Sequence, residues 1–456
     1  MLDSGTREMI LEARDDARRR GLRASVMLHR ENSHLMRIGN NSVSLNTSEK
    51  LTRLDVRVLD GNREGTHTVL GEVRSAAQVL ESIELSARKA ASAVPKDYTP
   101  MLAEVREGVD ESPQYDAALE NLDPSVKARI YAEIFEAVGS SYNYSGSWSS
   151  GSMEVYLVST ANDREAYHRG TDQLFSVVLK HPEAKWELQD EQTGWKAGDI
   201  AAEATIERLK RYADLYEKVP GIRIEPGEYT VVFGPSALAE LAMFALMTGV
   251  NGRLYEEKMS WTAQNAVGDR VLGENITVVD DPGNALTFMY GFDAGGIRRR
   301  KFPVIEAGRL SALIYDMATA AKYGKEPTGH ECEPSISIAC GTGPESPMEA
   351  VKGMGRALFI PAIHYMNLPN VSKGVFTGSS RFSAVVLEDG RMAAPMFSTR
   401  ITDSFQNVFG NVAVLSSRQV SVNGSNTYGR RSPVAAAVPS YAVVEKVRIT
   451  DCAESF

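Results

Sequence analysis

The stretch Gly227 to Gly249, GEYTVVFGPSALAELAMFALMTG, decides how this chain is to be read. Its first part has the composition of a short strand. Its second part opens on Gly234-Pro235, is apolar round most of its circumference and closes on Gly249, the pattern of a helix packed inside a domain. One carboxylate, Glu240, stands in the middle of that helix with no basic side chain beside it. Burying an unpaired carboxylate is costly, so Glu240 either reaches water or descends from a helix with a chemical task.

Working outward, the sequence predicts β-structure after this helix: NITVVDD, a hairpin around LEDGRM and the closing PSYAVVEKVRIT, with helical pattern at Gly308 to Tyr323 and Pro347 to Gly355. Before it, a helix from Asp3 to Arg20 stops at Gly21, and RASVMLHRE, HLMRIGN, SVSLNTSE and LTRLDVRVLDGNREGTHTVL follow as strands. Asp60-Gly61-Asn62 marks a hairpin. Ser75 to Val94 reads as a helix, and Lys96 to Leu122 as an acidic, proline-bearing surface connection. Asp123-Pro124 caps a helix to Val138. SYNYSGSW, SMEVYLVST and DQLFSVVLK read as strands, and Asp199 to Glu217 as a helix ending before Pro220-Gly221. The expected class is α+β, with an N-terminal antiparallel sheet and packed helices over residues 1–222 and a β-rich domain around a central helix over residues 223–456.

A chain of 456 residues is long enough for two or three domains. Its 43% hydrophobic and 24% charged residues are those of a folded protein, and the net charge of −9 argues against a dedicated nucleic-acid binder. The run Arg298-Arg299-Arg300-Lys301 is the best local basic patch; without aromatic interleaving it reads as a solvated turn. Three scattered cysteines, Cys332, Cys340 and Cys452, make no disulfide framework and fit a reducing compartment. With no secretory signal and no apolar run long enough for a span, the expectation is a soluble, cytoplasmic protein that engages neither membrane nor nucleic acid. Nucleotide and serine-hydrolase motifs are absent from strand-to-helix contexts.

Several motifs remain: VVDDPGN (278–284), GFDAGGIRRRKFPVIEAGRLSALIYD (291–316), PTG (327–329) and FTGSSRFSAVVLEDGRMAAP (376–395), preceded by RVLDGNREG (57–65). Their order resembles that of the TldD/PmbA family, once described as modulators of DNA gyrase, over nearly the whole chain. The TldD kind resembles a metallopeptidase, with H-E-x-x-x-H on a helix after a strand and a distant C-terminal cysteine completing a zinc site. Two imidazoles and a thiolate hold the ion, and the glutamate takes the proton of its water.

Set on this chain, the motif falls on Ala239, Glu240, Leu241, Ala242, Met243 and Phe244. Only the glutamate matches. In SNTYGRRSP, Tyr428 stands at or near the cysteine position, and neither alanine nor phenylalanine is a zinc donor. The chain therefore resembles the metal-free TldE, or PmbA, branch, with no catalytic residue, cofactor or metal ligand of its own and Glu240 a residual match. The resemblance implies a TldD-like metallopeptidase partner that carries the zinc, a dimer around a chamber, and an unfolded peptide as substrate. The alternatives are a peptide-binding homodimer, an enzyme with repurposed chemistry in a peptide or natural-product pathway, and the regulatory role implied by the gyrase label, which the acidic chain does not support. The family often has D-x-E-G where this chain has Asp293-Ala294-Gly295-Gly296.

Other donors are weaker candidates. TGHECEPS brings His330, Glu331, Cys332 and Glu333 together, but on a strand at most two would converge. His29, His34, His67, His168, His181 and His364 are isolated, and Cys340 has no placed histidine to activate it. The glycine and serine clusters at Asn143 to Ser152 and Gly374 to Ser380 read as hairpin loops in preference to a strand-pairing surface for peptide.

Overall fold

The computed structural model describes residues 2–330, 335–425, 430–432 and 434–456. Residues 23–194 supply a seven-stranded sheet: β1 (Arg23–Gly39), β2 (Ser42–Asp60), β3 (Arg63–Leu70), β4 (Val109–Glu111), β5 (Asn143–Ser159), β6 (Glu165–Lys180) and β7 (Glu187–Gly194). The order is β3-β2-β1-β5-β6-β4, with β7 also paired to β6 and β4 the one parallel neighbour. Sequence segments expected as separate strands merge. RASVMLHRE and HLMRIGN are both β1, because the polar residues between them stay in the ladder: Glu31 accepts from Ser33 Oγ at 3.0 Å and faces His29 Nε2 at 3.0 Å. The hairpin signal corresponds to a two-residue turn, Asp60 pairing with Arg63 and Gly61 at φ 56°.

Period two assigns the faces. Even-numbered residues of β1, such as Val26 and Leu28, pack with Leu54, Val56 and Val58 of β2 under the helices Ser4–Arg19 and Ala76–Ser92. Asp3 and Ser75 cap those helices, accepting from Thr6 N at 2.9 Å and Gln78 N at 3.3 Å. Gly65 sets how closely the second lies: a Cβ there would stand 2.1 Å from the Ser86 carbonyl oxygen. The helices Pro124–Val138 and Ala202–Lys218 cover the other end of the sheet around Trp148 and Phe175.

Strand β8 (Gly227–Phe233) lies inside a nine-stranded sheet, parallel to Arg356–Ile360 and antiparallel to the closing strand Ala442–Cys452. It runs directly into the helix Pro235–Gly249, whose Leu238, Leu241, Ala242 and Ala245 pack with Ile363, Phe376, Ala436 and Val438. This helix touches Ile363–Asn370 of the large sheet and Gln419–Asn423 and Ala435–Pro439 of a six-stranded sheet, as its nearly all-round apolar sequence requires. Trp261 Nε1 donates to the Ala245 carbonyl at 2.9 Å and closes its C-terminal end.

Five expectations are corrected. The helix at Gly308 to Tyr323 is confined to Met317–Tyr323, capped by Asp316; before it Arg309–Leu310 pairs with Phe302–Glu306 as a strand. The helix at Pro347 to Gly355 is only Pro347–Ala350. Lys96 to Leu122 is no mere surface connection, since Val105, Val109 and Leu119 are buried and Glu104 N donates to the Gly295 carbonyl at 2.9 Å. The basic run is no solvated turn: Arg299 is buried on Asp280 at 2.6 Å, Arg300 pairs with Glu107 at 2.8 Å, and Arg298 pairs with Glu111. Asn143 to Ser152 forms half of the central strand β5 instead of a loop, while Gly374, at φ 61°, does make a turn before the strand Val375–Ser380.

Candidate functional site

The helix Pro235–Gly249 is not covered on every side. Ala239 is buried, but Ser236, Glu240, Met243 and Phe244 are half-buried and Met247 is 56% exposed, a spacing that places them on one open face. Among the described residues no side chain forms a hydrogen bond or ion pair with Glu240, and burial alone pushes its carboxyl above the usual range. Glu240 thus has the unpaired environment its sequence implies. A carboxyl with a raised folded-state value binds more protons folded than unfolded, so stability falls as pH rises from the ordinary carboxylate range through the raised value. Glu240→Gln should therefore raise the melting temperature at pH 7 and leave it unchanged below pH 4.5, the ordinary value. An equal shift at both pH values would mean that packing, not ionisation, carries the effect.

One turn before Glu240, Ser236 Oγ lies 3.5 Å from Glu191 Oε2 at the end of β7. Glu191 reaches solvent yet stands among many protein atoms, and that desolvation together with neighbouring Asp190 pushes its carboxyl up. The ladder continues the same sheet face: Glu191 opposes Ser176, which opposes Ser147, which opposes Arg37. Next to this row run Thr193, Leu174, Ser149 and Leu35. Small hydroxyl side chains leave this face open. Glu191, at Ser236, and Glu240, one turn further along the helix, are thus two carboxylates raised by desolvation beside a hydroxyl-bearing sheet face. Glu191 was not singled out from sequence, since nothing local in ELQDEQTG marks it.

A buried ion pair lies on the same sheet face. Arg431, 2% exposed, donates through Nε to Asp172 Oδ1 at 2.7 Å and through Nη2 to the Asp172 carbonyl at 2.9 Å, and its backbone N–H donates to Glu31. Asn423 donates to the Gln173 carbonyl at 3.1 Å. The strands on either side of the six-stranded sheet's edge are thereby fastened to β1 and β6.

The remaining candidates do not join this site. Phe244 packs against the core around the helix, and Tyr428 lies outside the described residues. Glu331, Cys332 and Glu333 also lie outside them, while His330 is buried, stacked on Phe302 at 4.5 Å, with Nε2 3.0 Å from the Arg300 carbonyl oxygen. His29 pairs with Glu31, and His168 is fully enclosed, which lowers its value to about 3. Cys340 is exposed, with its thiol raised by desolvation, the opposite of an activated nucleophile. Asp293 caps its own loop, accepting from Ile297 N at 3.0 Å, and Gly295 packs on Glu104. The described residues contain no group of three His, Cys, Asp or Glu side chains placed to hold a metal ion, and Ala239 and Phe244 beside Glu240 have no lone pair to offer, so a zinc ion does not fit this donor set. No helix among them is long and apolar enough to cross a membrane.

Residues 226–451 match the model of the PmbA/TldA metallopeptidase C-terminal domain. The fold is similar to TldE from Thermococcus kodakarensis, with a TM-score of 0.82 at 18% identity over 98% of this chain and 100% of that one. A candidate modulator of a DNA gyrase from Thermotoga maritima gives a TM-score of 0.79 at 17% identity over 97% and 100%. Matches to curated sequences are shorter. A protein called a metalloprotease from Methanothermobacter thermautotrophicus is 33% identical over 15% of each chain, and an uncharacterized protein of Methanocaldococcus jannaschii is 29% identical over 26% of this chain and 29% of its own length. The fold shared with the solved structures extends through the N-terminal sheet, and the domain match takes in β8, the helix and nearly all of the closing strand that pairs with it; residues 226–451 belong to the PmbA/TldA metallopeptidase C-terminal domain family.

Proposed function

We propose that this chain is the non-catalytic, TldE-like subunit of a TldD/TldE-type zinc metallopeptidase complex that degrades or processes unfolded peptides, with the zinc in a TldD-like partner. The observation that carries the reading is the helix Pro235–Gly249: it keeps the position after β8 and the glutamate, while Ala239 and Phe244 replace the two imidazoles that zinc would need. A carboxylate without the Lewis acid cannot run that hydrolysis. The hydroxyl-bearing sheet face next to the start of the helix suits an extended peptide whose backbone needs partners. A cytoplasmic location and a heterodimer accompany this reading. Purification of the chain from its own host tests it: a TldD-like protein carrying H-E-x-x-x-H should co-purify in equal amount. Recovery as a homodimer alone, at native abundance and with the partner present in the extract, would replace this assignment by the peptide-binding homodimer.

A further inference from the structure

A cavity of about 390 Å³ opens beside the start of β7. Its charged side chains are Lys185, Arg381 and Arg400 against one acidic side chain, Glu187. That acid is already shared, 3.1 Å from Lys180 Nζ and 3.1 Å from Arg381 Nη2. Among the described residues neither Lys185 nor Arg400 has a carboxylate within ion-pair distance: Lys185 donates to the Pro182 carbonyl, and Arg400 donates to Thr377 Oγ1 at 3.3 Å. The remaining wall is mixed: Tyr216, Phe382, Met396 and Phe456 give it an apolar, aromatic part, and serines such as Ser379 and Ser398 a polar one.

The backbone around this cavity is held in an uncommon conformation. Lys185, Tyr365 and Phe382 all line it with left-handed φ values of 67°, 53° and 61°, and Ser383 follows at 50°. Non-glycine residues seldom adopt this region, and where they do so in a cluster the surroundings over-determine them, as at ligand clamps. Their effect here is to fix Arg381. Its guanidinium lies 4.7 Å from the Phe382 ring centroid, donates through Nη1 to the Tyr365 hydroxyl at 3.0 Å and pairs with Glu187. A guanidinium has five N–H donors, so this held group keeps others for a ligand.

We infer that this cavity binds a carboxylate carried next to an apolar side chain, the chemistry of a peptide's C-terminal residue. The volume suits a ligand of one or two residues. The carboxylate meets Arg381, Arg400 and Lys185, and the side chain lies on the Phe382 and Tyr216 walls. The same face of β7 carries Glu187 at this cavity, then Gln189, then Glu191 beside Ser236, and Gln189 Nε2 donates to Glu191 Oε1 at 2.6 Å. Only the peptide origin of the carboxylate rests on the function proposed above; the anion site does not.

Titration of the isolated full-length chain, read by calorimetry and by the fluorescence of Trp186, which lies 5.4 Å from Tyr216, tests the inference. The probes are Gly-Gly-Phe, its C-terminal amide, N-acetylphenylalanine and inorganic phosphate. The free acid should bind about tenfold or more tightly than the amide, and Lys185→Gln and Arg400→Gln, both conservative changes at the rim, should each weaken it about 5-fold to 10-fold. Equal binding of acid and amide, or unchanged binding in both variants, would overturn the site. So would phosphate binding as tightly as the peptide, because the apolar wall would then contribute nothing. N-acetylphenylalanine binding as tightly as the tripeptide supports the site and assigns it to free acylated amino acids; tighter binding of the tripeptide supports it and assigns it to peptide ends. Co-purification of a TldD-like protein is independent of every one of these results.

Discussion

Mixing this chain with a TldD-like partner should raise cleavage of an unfolded peptide by about 100-fold over the partner alone, a magnitude that correct positioning can supply without any donated catalytic group. This chain alone should show no cleavage. A chelator should abolish the restored activity, and so should replacement of the partner's motif histidines, because the proposed assignment puts the Lewis acid and its ligands there. Glu240→Gln in this chain should leave the rate within a few-fold, since Ala239 and Phe244 offer no metal donor beside Glu240 and no side chain among the described residues bonds to it. A general base would be worth about 100-fold or more. A loss of that size in a variant that still folds and assembles would mean that Glu240 keeps a chemical task. Cleavage by the isolated chain, insensitive to chelator and free of partner, would replace the non-catalytic assignment with repurposed chemistry.

Asp172→Asn should destabilise the chain by about 3–5 kcal/mol, measured as a lowered midpoint of urea unfolding, because it leaves the guanidinium of Arg431 buried without its counter-charge. Both side chains are 1% exposed and the pair is 2.7 Å apart, so solvent cannot take over. Adding Arg431→Met to Asp172→Asn should recover most of the loss, since an apolar side chain of similar length requires no partner. A single-variant loss below about 1 kcal/mol would show that water enters this site and that the pair is not what fastens the six-stranded sheet to β6.

Local signals were legible where they are self-contained. Asp123-Pro124 starts a helix because its side chain and the proline satisfy the first turn within four residues, and the helix is Pro124–Val138 as expected. Gly61-Asn62 turns a hairpin for the same local reason. The helix Pro235–Gly249 was legible from its apolar circumference, and Glu240 from its isolation within it. Failures came where a polar residue is satisfied by something distant. Asn32-Ser33 looked like a break in β1, although both residues pair with β2 and β5 and Ser33 Oγ donates to Glu31 at 3.0 Å. The serine cluster at Asn143 to Ser152 looked like a loop, although it lies in a central strand with Ser149, Ser150 and Ser152 buried.

The sequence by itself determined the class, the helix and strand that centre the C-terminal half, the family resemblance and the identity of the residues at the motif positions, because propensity, capping and ligand chemistry are properties of short segments. Only the tertiary structure decided what Glu240 faces. It brought Glu191 from β7 to Ser236, fixed Arg431 between Asp172 and Glu31, and turned the basic run 298–301 from a surface turn into a clip on the acidic segment 104–111. It likewise gathered Lys185, Arg381 and Arg400 around one cavity. Each of these pairings joins residues far apart in the chain, and the cost of a buried charge selects a partner in space, without regard to distance along the sequence.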